Sequence, residues 1–331
     1  MLQLFRTFQV AGIFILLGFA AILRAAVLVV DMPTQLEGVF NPWALWLQGL
    51  FQAGGIIDWG LGALCVAVLG FGASWSLQHY RLADAGMLPG FVAVVLGSAS
   101  WWWLGFSPLL VGAIFTGYAA HRLYQCYRHQ GVSLPVFDAG LLIGCAWLIA
   151  PGFLWFFPAA IIGLAQLRGF RFSDLFGMLT GVLVPAGLIG MYHFLTDSLV
   201  PYLWIDGTES WKLTASLLTI PKGATLLANW PWLSIIASVS LVAFVGVGKL
   251  TTRRPIQEQR YNRLIYNFLG AGWLAILFSG SLHPWTLAYV LCPLSLVLGI
   301  WLSELSRKRA EMVSMIGLLL VVAGFLWAAI T

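Results

Sequence analysis

The chain has 331 residues, of which 60% are hydrophobic and 9% charged, with a mean hydropathy of +0.91. A water-facing surface needs roughly a quarter charged residues, so this composition excludes an ordinary soluble domain and implies an all-α integral membrane protein, whose helices satisfy their own backbone. The net charge of +5 belongs to loops facing anionic membrane lipids, and no nucleic-acid partner is expected from it.

At roughly 20 apolar residues per crossing, fewer for buried helices, the pattern predicts about eleven transmembrane helices in one domain. The first span, near 10–30, carries Arg24 and ends at Asp31. Residues 31–57 stay outside, where Asn41-Pro42 opens an amphipathic stretch (Trp43, Trp46, Leu47, Leu50, Phe51) suited to an interfacial helix in this outer loop. The second span, near 59–77, returns to His79 and Arg81. Two short hairpins follow, 87–105 with 108–122 and 136–150 with 152–167, turning outside at Ser107-Pro108 and Pro151-Gly152. A long seventh span, near 173–195, ends at His193 and Asp197. Residues 196–230, rich in Trp, Pro and Gly, form the largest outer loop. Four further helices, near 231–248, 264–281, 285–303 and 311–330, place the C-terminus outside.

Orientation comes from the basic residues. They cluster at Arg6, at Arg81, at Arg122 with Arg128, at Arg168 with Arg171, from Lys249 to Arg263, and at Arg307-Lys308-Arg309. The alternate connections carry Asp31, Glu37, Asp58, Asp197, Asp206 and Glu209. By the positive-inside rule 14 of the 17 Lys and Arg face the cytoplasm, which makes the N-terminus cytoplasmic and places the C-terminus outside. Cys65, Cys126, Cys145 and Cys292 are scattered with no CxxC pair, so neither a disulfide nor a metal site is expected of them. No P-loop, dinucleotide-binding glycine pattern, HExxH or nucleophile elbow occurs, which argues against ATP-driven chemistry in the chain.

A handful of polar residues could carry chemistry. Arg24 is the basic residue placed inside an apolar span, where a charge costs a few kcal/mol and so faces a partner, a wet cavity or the interface. Arg24 and Asp31 are seven residues apart and share a helix face. An Arg there could clamp a phosphate bidentately, or simply snorkel to phospholipid. Asp31, Glu37 and Asp58 flank the first outer loop and could serve as a general base or bind a divalent cation; solvated loop acids are the plainer reading. His193 and Asp197, four apart, can touch as a proton-shuttling pair or cap a helix end. His283 and Tyr289 lie on the tract Ser281-Leu282-His283-Pro284-Trp285-Thr286-Leu287-Ala288-Tyr289 at the outer face, where a lone His is commonly structural.

This layout resembles the GT-C superfamily of polyprenyl-phosphate-sugar-dependent glycosyltransferases. The resemblance lies in Arg24 near the outer end of the first span, the acid Asp31 after it, an outer loop with an interfacial helix, short paired hairpins, and a long seventh helix before a large loop. The tract from His283 to Leu294 is similar to a late stretch of these enzymes, with His283 near the place of their Arg. Where such enzymes carry an acidic pair, Val30-Asp31-Met32-Pro33 offers one acid, with Glu37 six residues on. The sequence is also similar to a family of bacterial multi-pass inner-membrane proteins. The resemblance implies a seven-helix GT-C-like module over 1–195, the loop 196–230 over the acceptor, and four C-terminal helices. It implies Asp31 as catalytic base, with Arg24 and His283 near the lipid phosphate, and a polyprenyl-phosphate-linked sugar as partner. A non-catalytic lipid-glycan transporter, or a scaffold bound to another membrane protein of an envelope assembly, is the alternative expectation.

Overall fold

The computed structural model describes residues 10–25, 56–82, 86–98, 105–127, 134–196, 255–278 and 284–330, together with Phe5, Ala44, Leu47, Gly49, Ala237, Ser240 and Leu241. These residues are overwhelmingly helical, with no strand among them. In chain order the helices are α1 (Val10–Arg24), α2 (Ile56–His79), α3 (Leu88–Gly97), α4 (Pro108–Tyr124), α5 (Leu134–Ile149), α6 (Phe156–Arg168), α7 (Phe172–Leu195), α8 (Ile256–Phe278), α9 (Ala288–Glu304) and α10 (Arg307–Ile330). Short 3₁₀ turns, Pro151–Trp155 and Pro284–Leu287, lead into α6 and α9. Two of these helices, Ile56–His79 and the Phe172–Tyr192 part of α7, are long and apolar enough to cross a membrane.

Local sequence explains the boundaries. Proline in the first turn opens α3 and α4, where its missing N–H costs nothing. Gly169, at φ +88°, ends α6 in a positive-φ conformation that a glycine adopts without strain, and α7 starts three residues later. Pro185 and Pro293 lie within α7 and α9, which continue through them.

Several boundaries differ from the predicted spans. Within 87–105 the described helix is the ten-residue α3, about 15 Å long, which ends at Gly97; Trp101-Trp102-Trp103 lie outside the described residues. The helix α2 starts at Ile56, so Asp58 is a first-turn helical residue and not a loop acid; a carboxylate at that position complements the positive helix end. The helix α8 begins at Ile256, eight residues before the predicted span, because Gln257-Glu258-Gln259-Arg260 are good helix formers despite their polarity. Ala44, Leu47 and Gly49, from the expected interfacial stretch, are each helical. The loop 196–230 lies outside the described residues apart from Thr196, as does most of 231–248.

Packing follows from small residues and from α9. The helices α5 and α7 approach so closely that a Cβ on Gly144 would sit 2.6 Å from the Val182 carbonyl oxygen, and Gly140 and Gly181 face backbone in the same way. Small residues allow such contact, the usual device where helices meet in a lipid-like environment. The helix α9 is buried from Ala288 to Ile300 and packs against α3, α4 and α8. By contrast α7 exposes Phe172, Phe176, Leu179 and Leu183 along one face, and Leu188 and Met191 on other faces, so apolar surface runs along a helix about 36 Å long.

The basic ends of the helices form a polar layer. Arg122 lies 3.5 Å from Asp138, Arg168 pairs with Asp174, and Arg260 Nη1 donates to the Leu167 carbonyl at 3.1 Å, capping the end of α6. Tyr80, Tyr124, Tyr127 and Tyr261 pack ring to ring between them, with centroids 5.0–5.4 Å apart.

Candidate functional site

The bulkiest fully buried side chain among the described residues is Arg24, at 0% exposure. It ends α1, and its Nη2 donates at 2.9 Å to the carbonyl of Gly97, the last residue of α3. Two helix C-termini, each with a negative dipole end and orphan carbonyls, therefore converge on one guanidinium. Asp58, in the first turn of α2 where the dipole is positive, contributes its charge to the same neighbourhood, and the Cys65 side chain lies close by. Each charge thus sits at the helix end of the complementary sign.

Neighbouring groups fix this junction tightly. Asp58 Oδ1 accepts the Phe106 N–H at 2.7 Å, tying α2 to the segment that enters α4. Trp59 Nε1 donates at 2.9 Å to the Ala21 carbonyl, one of the last-turn acceptors of α1. Gly62 faces the guanidinium: a Cβ there would lie 2.6 Å from Arg24 Nη1 and 2.8 Å from the Gly105 carbonyl oxygen. The junction joins α1, α2, α3 and the start of α4, and the chain leaving it after Ala25 carries Asp31 and Glu37.

Of the residues singled out in the sequence, Arg24 and Asp58 are brought together. Asp31, Glu37, Asp197 and His283 lie outside the described residues. His193 lies on the last turn of α7, with its side chain outside the description. Tyr289 is buried at 4% exposure in the first turn of α9, where its ring packs edge-on to Phe153 at 4.6 Å and covers Gly152. Leu291, two residues on, approaches Gly97 instead, so Tyr289 faces away from Arg24 across the helix. Among the described residues no group of three or more His, Cys, Asp or Glu could hold a metal ion.

A second cluster, at the basic end of α2 and α4, was not singled out in the sequence. His121 stacks on Trp75 at 4.4 Å, its Nδ1 lies 3.2 Å from Ser76 Oγ, and Tyr80 OH donates to its carbonyl at 3.2 Å. The signal was present in two aromatic–His runs, Trp75-Ser76 with His79-Tyr80 and Tyr118 with His121 and Tyr124, each spaced three or four apart at a helix end. Asp58 and Ser76 are eighteen residues apart on α2, so the two clusters are about 27 Å apart along the helix.

No family model, curated protein or solved structure matches this chain.

Proposed function

We propose that the protein is a multi-pass membrane glycosyltransferase of GT-C type that acts on a polyprenyl-phosphate-linked sugar at the Arg24 end of the bundle. In this reading about eleven helices cross a bacterial inner membrane, with the N-terminus cytoplasmic and the C-terminus periplasmic. Support for the membrane setting comes from the exposed apolar surface of α7 and the two helices of membrane-crossing length.

The observation that carries the site is the buried Arg24–Asp58 junction, where a cation and a carboxylate are held at converging helix ends. Buried charge is costly and is kept at functional places in membrane proteins. Asp31 follows within one short segment and would take the proton from an acceptor hydroxyl. Positive charge near the leaving phosphate would ease its departure, with Arg24 setting the local field and His283 as the second group assigned to the phosphate. Glu37 and Asp58 would complete an acidic rim able to hold a divalent cation, and His193 with Asp197 would line the acceptor side beneath the loop 196–230.

A second reading has its own support. Arg24 is fully enclosed and engaged with the Gly97 carbonyl, which suits a lipid-glycan carrier or a scaffold subunit whose junction is structural. The test is binding and turnover of a polyprenyl-phosphate sugar by purified wild-type protein beside Asp31→Asn. Turnover lost in the variant with binding retained is the expected result. Equal turnover in both proteins removes Asp31 from catalysis, and binding without turnover in either assigns the carrier reading.

A further inference from the structure

A cavity of about 250 Å³ lies between α2, α4 and α9, near the basic ends and away from the Arg24 junction. Small residues create it: Gly72 on α2, with Ala113 and Gly117 on α4. A narrower space continues past Gly117 and Cys292 towards Ile265 and Phe268 of α8. At roughly 30 Å³ per molecule the main cavity would hold about eight waters, but walls this apolar offer too few partners to keep them. An apolar ligand is the natural filling.

One end of the cavity is different. Tyr124 lines both spaces, and its hydroxyl is buried with no hydrogen-bond partner among the described residues. A buried hydroxyl left without a partner is a standing cost, so natural structures rarely leave one without a reason. The neighbouring polar groups are already engaged: His121 with Ser76, and Arg122 with Asp138 and Gln125. A charged head group would therefore meet no free counter-charge among these residues, and burying it would be prohibitive. The rim is formed by Val68, Trp75 and Tyr118, each between one third and one half exposed, on the outward faces of α2 and α4. The helix α2 is long and apolar enough to cross a membrane, and in the membrane reading this mouth opens sideways towards hydrocarbon.

We infer that the cavity between α2, α4 and α9 binds an uncharged lipid, whose single hydroxyl or carbonyl oxygen accepts from Tyr124 and whose tail fills the slot beside Gly72 and Gly117. The inference rests on the membrane reading but not on the transferase reading, since none of these residues belongs to the Arg24 junction.

The test uses the full chain purified in mild detergent and equilibrium binding of radiolabelled oleyl alcohol, beside the matching alkene without the hydroxyl. Gly72→Leu fills the slot, because a Cβ at Gly72 meets nothing within 4 Å and the side chain can grow into the space. Gly60→Leu is the control: it is on the same helix, equally open, and outside the lining. Tyr124→Phe removes the hydroxyl and keeps the ring. Saturable binding of the alcohol by wild type and Gly60→Leu is expected, with Gly72→Leu weakened about tenfold or more, the scale of about two methylene groups of the tail kept from burial by the plug. Tyr124→Phe is expected to weaken the alcohol about fivefold, the size of one net hydrogen bond, and to leave the alkene unchanged. Absence of saturable binding, or Gly72→Leu binding as wild type does, would overturn the site. An alkene that binds wild type as tightly as the alcohol, or a Tyr124→Phe protein that binds the alcohol unchanged, would overturn the polar anchor.

Discussion

Neutralising Asp58 is expected to destabilise the protein mainly through Arg24. The substitution Asp58→Asn removes the negative charge but keeps a carbonyl oxygen that can accept the Phe106 N–H, now made at 2.7 Å. What changes is the field at a guanidinium with no exposed surface. Removing one partner from a fully buried charge pair costs about 3–5 kcal/mol. Asp58 is half-buried and partly screened, so a cost of about 1–2 kcal/mol is expected. Arg24→Met removes the cation and its bond to Gly97, a charge-assisted contact of about 1.5–3 kcal/mol. In the Arg24→Met background Asp58→Asn should then cost less than about 0.5 kcal/mol, giving a coupling near 1 kcal/mol in a double-mutant cycle. Equilibrium unfolding in detergent, followed by tryptophan fluorescence, measures each corner. A coupling within about 0.3 kcal/mol of zero would refute the electrostatic account of the junction.

Other consequences follow from the packing. Gly144→Val should destabilise the α5–α7 contact by about 1–3 kcal/mol, because its Cβ would lie 2.6 Å from the Val182 carbonyl oxygen. Gly187→Ala, on the open side of α7 with nothing within 4 Å, should instead be neutral or stabilise by about 0.5–1 kcal/mol; chemical denaturation of the two variants side by side checks the contrast. Arg260→Met should cost about 1 kcal/mol by uncapping α6 at Leu167, seen as faster amide exchange in the last turn of α6 relative to α9. Tyr124→Phe, by deleting a buried hydroxyl that lacks a partner, should raise the melting temperature of the lipid-free protein, and a lowered value would count against an unsatisfied group there.

Hydropathy made most of the bundle legible. Spans expected near 59–77, 108–122 and 173–195 appear as α2, α4 and α7, with ends shifted by no more than three residues. It could not mark where α8 starts, since two polar helical turns look like a loop when their periodicity is not apolar. Nor could it foresee α3 stopping at Gly97, because apolar residues continue in the sequence beyond the end of the helix. Arg24 stood out because a charge inside an apolar run is costly, and it is indeed fully buried. Its structural neighbour was another matter. Sequence spacing reveals partners one or two turns away, which pointed to Asp31, whereas Asp58 and Gly97 reach Arg24 only through the antiparallel packing of α1, α2 and α3. The His121 cluster was missed for the same reason: its parts come from two helices, and Ser76 and His121 are 45 residues apart in the chain.

The proposed membrane orientation underlies the proposed donor site at the Arg24 end. It is tested most directly by cysteine accessibility in spheroplasts, using a chain whose four native cysteines are replaced by alanine. Thr196→Cys, exposed at the end of α7, and Phe170→Cys, exposed in the turn between α6 and α7, report the two faces. A membrane-impermeant maleimide should label position 196 in intact spheroplasts, and position 170 only after the membrane is opened. Labelling of position 170 from outside, or of both positions equally, would contradict the orientation and with it the proposed transfer at the outer face.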